Sequence, residues 1–335
     1  MSPEQANYTQ YQHGNDAGHY ESFFLRANHP SLPKAFWFRY TIFAPKGNPE
    51  KALAELWGIW FDGTQNKHIA VKKEIPLKEV VFDNHQFQVV ISDATLNEKE
   101  FSGSAQSNRN SLSWRLTYDG SEPVLFTLPT KLYHAPFPKA KLLVGKPLAK
   151  FFGEIIINDE PVFIENWVGS QNHNWGGKHT DHYAWGQVAG FDNFPDSFME
   201  IATARLKFGP FWTPFMTIIA LKHQKRYFYL NTIPQALKAN AKFQYFNWQF
   251  QSKNKEIAVH GRITAQKHDF VGLKYNNPPG GVKACLNTKI AGCEVSISYV
   301  DSARNNVTET LTTQNRCAFE ILTDDTQQHQ IPLEV

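Results

Sequence analysis

Residues Ala35–Phe43 read AFWFRYTIF, and this alternation decides the fold. In an extended chain Phe36, Phe38, Tyr40 and Ile42 share one face, because side chains of a strand point alternately to its two sides. The same period recurs along the chain. Leu112, Trp114, Leu116 and Tyr118 alternate with Ser113, Arg115 and Thr117, and Val295, Ile297 and Tyr299 alternate with Ser296 and Ser298. Short polar turns join such runs. Asn158-Asp159-Glu160 separates Ile155–Ile157 from Val162–Ile164, and His223–Arg226 separates Thr217–Leu221 from Tyr227–Leu230. Half-buried strands linked by hairpins predict antiparallel barrels or sandwiches. The one helix expected is short, Ile233–Asn240, opened near Thr232 and Pro234. No βαβ rhythm and no glycine-rich phosphate loop appears, which argues against a doubly wound sheet.

The chain has 335 residues, 26 of them Phe, 12 Tyr and 9 Trp against three Met, and only 19% are charged. Such aromatic density belongs to a folded chain and fills a wide β core or lines a pocket. One closed sheet of so many strands is too wide, so two packed barrels are expected. The Pro- and Lys-rich stretch His134–Gly153 reads as an irregular connection. The expected organisation is a lead-in over 1–18, one barrel over 19–160 and a second over 161–335.

The net charge is +3, with basic and acidic residues intermixed. No basic block interleaves with aromatics, which excludes a nucleic-acid footprint, while peripheral contact with an anionic membrane is allowed. The N-terminus MSPEQ lacks a signal-peptide pattern, and the apolar run Phe208–Leu221 is too short to span a bilayer and holds two prolines. Cys285, Cys293 and Cys317 are odd in number and lack CxxC spacing, so they read as reduced thiols packed in strands of a cytoplasmic protein.

The chemistry concentrates in Trp167–Phe191, WVGSQNHNWGGKHTDHYAWGQVAGF. Uncharged hydrogen-bonding groups, namely Gln171, Asn172, His173, Asn174 and Gln187, sit among three Trp, three His and five Gly. This mixture suits a pocket that orients an apolar ligand through a few fixed polar contacts, although it also suits a structural turn. Phe163–Gly169 and Tyr183–Gly190 are expected to form a hairpin whose wide loop reaches the pocket. His173, His179, His182 and Asp181 offer nitrogen and oxygen donors, but their spacing matches no HExxH or Cys/His pattern, so no metal is expected. No GxSxG occurs, and Ser170 lies in a plain Gly-Ser-Gln run.

At these residues the chain resembles a known group. Asn174-Trp175-Gly176-Gly177, followed by Tyr183-Ala184-Trp185-Gly186-Gln187, resembles the NWGG and aromatic-W-x-Q pattern of tocopherol cyclase-like proteins. His19–Phe24 resembles that family's FEGWYF opening, and His173–Gly176 is similar to the HNWG run of carotenoid 1,2-hydratases. Tyr275–Gly281 with Cys285-Leu286-Asn287 looks like a matching loop of the second barrel. The resemblance implies two lipocalin-like (calycin) barrels in tandem, as in AttH-like proteins, with an apolar ligand cavity and no cofactor. It also implies acid-catalysed protonation of a prenyl or polyene alkene, the cation being captured by a phenol or by water. That chemistry needs a protonated carboxyl in an apolar pocket and aromatic faces for the cation. Two positions depart from the pattern. Asn172 stands where the hydratases carry an acid, and an amide is no proton donor. Ser22-Phe23 stands where the cyclase opening has Gly-Trp.

The candidate acids are therefore Glu21, between aromatics of a strand, Glu165, two residues before Trp167 and so on the same strand face, and Asp181, the one acid inside the Trp-rich stretch. Asp62 reads as a turn residue. Glu200 and Arg205 are offset by an odd number and face opposite sides of one strand. The candidate ligand-binding residues are Trp57, Trp60, Gln171, His173, Asn174, Trp175, His182, Tyr183, Trp185, Gln187 and Asn276. An enzyme predicts a buried carboxyl of raised pKa facing the cavity, a carrier predicts rings and amides without one, and a structural protein predicts an exposed apolar patch.

Overall fold

The computed structural model describes residues 1–107, 109–301, 303–325 and 329–335. Two large antiparallel sheets dominate, of twelve and ten strands. They curl into the two tandem lipocalin-like barrels expected. In the first, the strand His19–Asn28 lies between Lys34–Ala44 and Glu160–Gly176, and Lys34–Ala44 pairs next with Leu53–Asp62. In the second, His182–Ala189 lies between Phe198–Arg205 and Asn306–Thr323. The helix Ile233–Lys238 forms where expected, with the Gln235 side chain accepting the Thr232 N–H at 3.2 Å.

Alternation sorts Ala35–Phe43 between two cores. Phe36, Phe38, Tyr40 and Ile42 fill the interior of the first barrel, where Tyr40 accepts the Trp114 indole N–H at 2.9 Å. Ala35 and Trp37 point the other way, into an apolar seam with Trp185, Leu273, Tyr275 and Cys285 of the second half. A separate interior cluster around Trp248, Phe250 and Phe319 fills the second barrel. Burial on both faces explains why that strand reads as a nearly unbroken hydrophobic run. The three cysteines are buried, unbridged and in strands.

The hairpin turns follow their sequences. Asn158-Asp159 and Gln224-Lys225 each adopt two consecutive positive φ angles, the backbone that a two-residue hairpin requires.

Three expectations are corrected. The sheets divide later than at 160/161, because Glu160–Gly176 belongs to the first sheet and the second begins at His182. Phe163–Gly169 and Tyr183–Gly190 consequently do not form a hairpin, and the expected wide loop is a strand running through Gly176. Finally, Glu165 does not share the face of Trp167. Trp167 pairs with Phe151 and Ile164 with Gly153, so Glu165 and Asn166 bulge from the strand, with Asn166 at φ 55°. A bulge resets the alternation. Ile164 and Trp167 both turn inward and Glu165 is exposed to solvent.

Candidate functional site

The barrel interiors are packed with side chains, and a cavity lies between the sheets rather than within either barrel. It measures about 250 Å³. The first half contributes Tyr20, Phe24, Trp37, Arg39, Leu142 and Asn174, and the second Tyr183, Trp185, Ala202, Ala204, Met216, Ile218, Tyr275 and Glu320. Most are two residues apart on neighbouring strands, so strand period alone aims them at one space.

One end of this space is polar. Ser22 Oγ accepts hydrogen bonds from Arg39 Nε and Nη2 at 2.8 and 2.6 Å, and the guanidinium lies 4.4 Å from the Tyr275 ring centre. Burial alone would weaken its charge, but Tyr275, Glu55 and Glu320 around it raise its pKa. His179 stacks on Tyr20 at 3.9 Å, and burial together with Arg39 pulls its pKa down to about 3, so it is neutral. Burial raises the phenols of Tyr20, Tyr183 and Tyr275, which therefore keep their protons as donors. Asn174 Oδ1 is buried without a hydrogen-bond partner among the described residues.

Two buried carboxyls flank Trp185. Glu320 stands in the cavity wall and accepts from Asn287 at 2.9 Å and from the buried Lys289 ammonium at 2.8 Å. Glu200 lies behind the indole, accepting the Trp185 N–H at 2.6 Å and the Gln187 amide at 2.8 Å. Burial pushes Glu200 up to about 8, against the pull of those two donors and Arg26, and Glu320 adds to the rise. Glu200 is therefore a carboxylic acid at neutral pH. Gln187 also donates to Asn172 Oδ1 at 2.8 Å and accepts from Ser170 Oγ at 2.7 Å. Two side-chain amides thus link the position where the resembled hydratases carry an acid to a carboxyl that this chain carries elsewhere.

Of the residues expected from sequence, Asn174, Tyr183 and Trp185 line the cavity, and Gln187 stands immediately behind it. The others do not meet there. Trp60 packs against Trp167 inside the first barrel at 5.6 Å between ring centres. Trp57 lies in the seam beside Tyr275 and Lys72 without reaching the cavity wall. Gln171, His173 and Trp175 point from the opposite face of their strand. Gln171 bonds Asn7 at 2.9 Å, and Trp175 packs on Tyr133. His182 packs against Phe243 and faces the Leu322 carbonyl, and Asn276 ends its strand outside the wall. Asp181 fastens a loop, pairing with Lys178 at 2.6 Å and accepting the Lys207 N–H.

Glu21 is fully buried but is not the protonated acid expected. Burial would raise its pKa, yet His173 and His19 at 2.8 and 2.9 Å outweigh that and hold it at about 2. The N–H groups of Gln10 and Tyr11 complete its coordination. The other ring nitrogen of His173 faces the Ala6 carbonyl at 2.7 Å. Both ring nitrogens of His173 thus have a polar partner. This ion cluster fastens the N-terminal lead-in across the first sheet. Sequence reading passed over Arg39 and Glu320, and it weighed His179 only as a metal donor, Glu200 only against Arg205 and Tyr275 only within a loop. The alternation of Phe198–Arg205 was legible, but Glu200 becomes an acid of interest only through Trp185 and Gln187 beside it. Among the described residues, no group of three or more His, Cys, Asp or Glu side chains is placed to hold a metal ion.

The comparisons agree with this architecture. A family described as tocopherol cyclase-like matches residues 136–322. Three solved structures share the fold at low identity. An AttH-type protein of Nitrosomonas europaea has a TM-score of 0.56 at 11% identity, covering 91% of this chain and 92% of its own. Kievitone hydratase from Nectria haematococca has a TM-score of 0.57 at 9% identity, over 92% and 89%. CghA, solved with Sch210972, has a TM-score of 0.55 at 11% identity, over 92% and 88%. No curated protein sequence matches the chain significantly.

Proposed function

The chain belongs to the tocopherol cyclase-like family, and from that premise we propose that it binds an apolar, isoprenoid-like small molecule between its sheets and transforms it by protonating an alkene. The product is a ring, an alcohol or a shifted double bond. The observation that carries this reading is Glu200, a buried carboxyl with its pKa raised to about 8 and hydrogen-bonded to the indole in the cavity wall. In this reading Glu200 gives its proton to one alkene carbon, and the π electrons form the new C–H bond. The positive charge left on the other carbon faces Trp185, Trp37 and Tyr183, whose rings stabilise a cation. An internal hydroxyl or water captures it and returns a proton to the Glu200 carboxylate, giving a ring or an alcohol, or that carboxylate takes a proton from the neighbouring carbon to give the shifted alkene. The Trp185 indole stands between Glu200 and the cavity, so delivery requires that ring to swing aside.

A carrier without catalysis is the second reading. It is favoured by the pairing of Glu320, the carboxyl in the cavity wall, with the Lys289 ammonium. Extraction of lipid from purified wild type and Glu200→Gln separates the two. The enzyme reading expects altered lipid on the wild type and its unaltered precursor on the variant. The same unaltered lipid on both leaves a carrier.

A further inference from the structure

Three segments frame the mouth of the cavity, and they share an unusual surface. They are residues 127–142 of the first half and 205–216 and 231–238 of the second, each supplying residues to the cavity wall. The Asn231 side chain bridges the halves there, donating to the Thr127 carbonyl at 3.1 Å. Phe137, Phe208, Phe211, Trp212, Ile233 and Leu237 all project from these segments into solvent, with Phe211 75% and Phe208 58% exposed. Phe208 and Phe211 are paired across a small hairpin, Lys207–Phe208 with Phe211–Trp212, that stands apart from both large sheets. Exposed rings at the tip of a separate hairpin contribute nothing to either core, and contiguous exposed apolar surface marks a docking face.

The charge on these segments is one-sided. They carry Lys131, Lys139, Lys141, Arg205, Lys207 and Lys238 and not one Asp or Glu, although the whole chain is only +3. Lys141 is turned inward onto the Leu132 and Ala135 carbonyls, and Arg205 lies 4.3 Å from the Trp212 ring centre. Lys131, Lys139, Lys207 and Lys238 remain exposed around the rings. The nearby Asp181 is already paired with Lys178. Aromatic and aliphatic side chains ringed by cations complement the headgroup layer of an anionic bilayer, where rings enter the acyl boundary and lysines meet the lipid charge.

We propose that this mouth docks on an anionic membrane surface, so that an apolar ligand passes between bilayer and cavity without crossing water. The ligand passage rests on the function proposed above, whereas the docking stands on the surface alone. The test is sedimentation of the full chain with vesicles of phosphatidylcholine alone or mixed with phosphatidylglycerol, both free of isoprenoid. Wild type is expected to pellet with the mixed vesicles at least about tenfold more tightly than with the neutral ones. Phe208→Ser/Phe211→Ser and Lys207→Glu/Lys238→Glu are each expected to lose about tenfold or more of that binding with unchanged thermal melting. The substitutions lie on exposed side chains, so both proteins should fold. Absence of wild-type binding to mixed vesicles, or its persistence in both variants, overturns the proposal. So does a wild-type dimer that the Phe208→Ser/Phe211→Ser variant abolishes without any vesicle binding, which makes the patch a self-interface. Vesicle binding by a chain that never carries lipid keeps the docking face and removes the proposed function instead.

Discussion

The Trp185 indole N–H donates to the buried Glu200 carboxyl at 2.6 Å while its ring forms part of the cavity wall. The acid of raised pKa and the aromatic face are therefore one connected unit, although they come from adjacent strands. Gln187 extends that unit to Asn172 and so across the seam between the sheets.

This connection fixes a pH profile. Glu200 has an ordinary value of 4.5 and is raised to about 8 in the fold. The folded state thus holds a proton that the unfolded chain has released, so stability falls as pH rises from about 4.5 to 8 and then levels. The turnover that needs the acid falls as pH passes about 8. Glu200→Gln keeps the shape without the titration. It should lose turnover by about 10²–10⁴-fold and should flatten the decline of stability over that pH range in urea titrations. A variant with full turnover removes Glu200 from the chemistry.

The opposite sign applies at Glu21. Its pKa is held at about 2 against an ordinary 4.5. The stabilisation it provides is present above about 4.5 and is lost as pH falls toward 2. Glu21→Gln removes the buried carboxylate that His173, His19 and the Gln10 and Tyr11 N–H groups all meet and should cost about 3 kcal/mol or more near neutral pH. Denaturant midpoints measured from pH 7 to acid would show wild type approaching the variant as the carboxyl protonates. Parallel curves would mean that Glu21 carries no such linkage.

Asn174, a residue of the cavity wall, has a buried amide oxygen without a partner among the described residues. A ligand hydroxyl would satisfy it. Asn174→Leu should weaken a hydroxylated ligand by about tenfold, close to the worth of one hydrogen bond, and leave its deoxy analogue bound as well or better. Equal losses for both ligands in calorimetry would show that the amide reads no hydroxyl.

Gly169 marks the place where two strands approach too closely for a side chain. A Cβ there would collide with the Arg26 carbonyl oxygen and with Ala27 Cα, both backbone atoms that cannot yield alone. Gly169→Ala should cost about 3 kcal/mol or more, read as a lowered urea midpoint. A neutral outcome would mean that these two strands can part to admit a methyl group without cost.

The architecture was legible because alternation is a local signal. Ala35–Phe43 announces one aromatic face, whereas the burial of its other face comes only from the meeting of the halves, and the turns at Asn158-Asp159 and Gln224-Lys225 follow from composition. The site was legible only in part. In the strand from Glu160 to Gly176, alternation sends Asn172 and Asn174 one way and Gln171, His173 and Trp175 the other, so a single conspicuous motif divides between cavity and ion cluster. Glu165 was misjudged because one bulge at Asn166, invisible in hydropathy, reversed its face. Glu200 and Glu320 lie in unremarkable strand sequence. Their environment comes from residues distant in sequence, as with Asn287, 33 positions from Glu320, and from the meeting of the two sheets, which no local pattern encodes.

The central claim is that an apolar ligand occupies the space between the sheets rather than a barrel interior. Native mass spectrometry with solvent extraction tests it on wild type, on Ala204→Trp, which fills that space, and on Ile42→Val, which trims the first barrel's interior. Wild type and Ile42→Val should retain an apolar small molecule and Ala204→Trp should release it. Retention by a folded Ala204→Trp, or a wild type that carries and accepts no such molecule, would contradict the account.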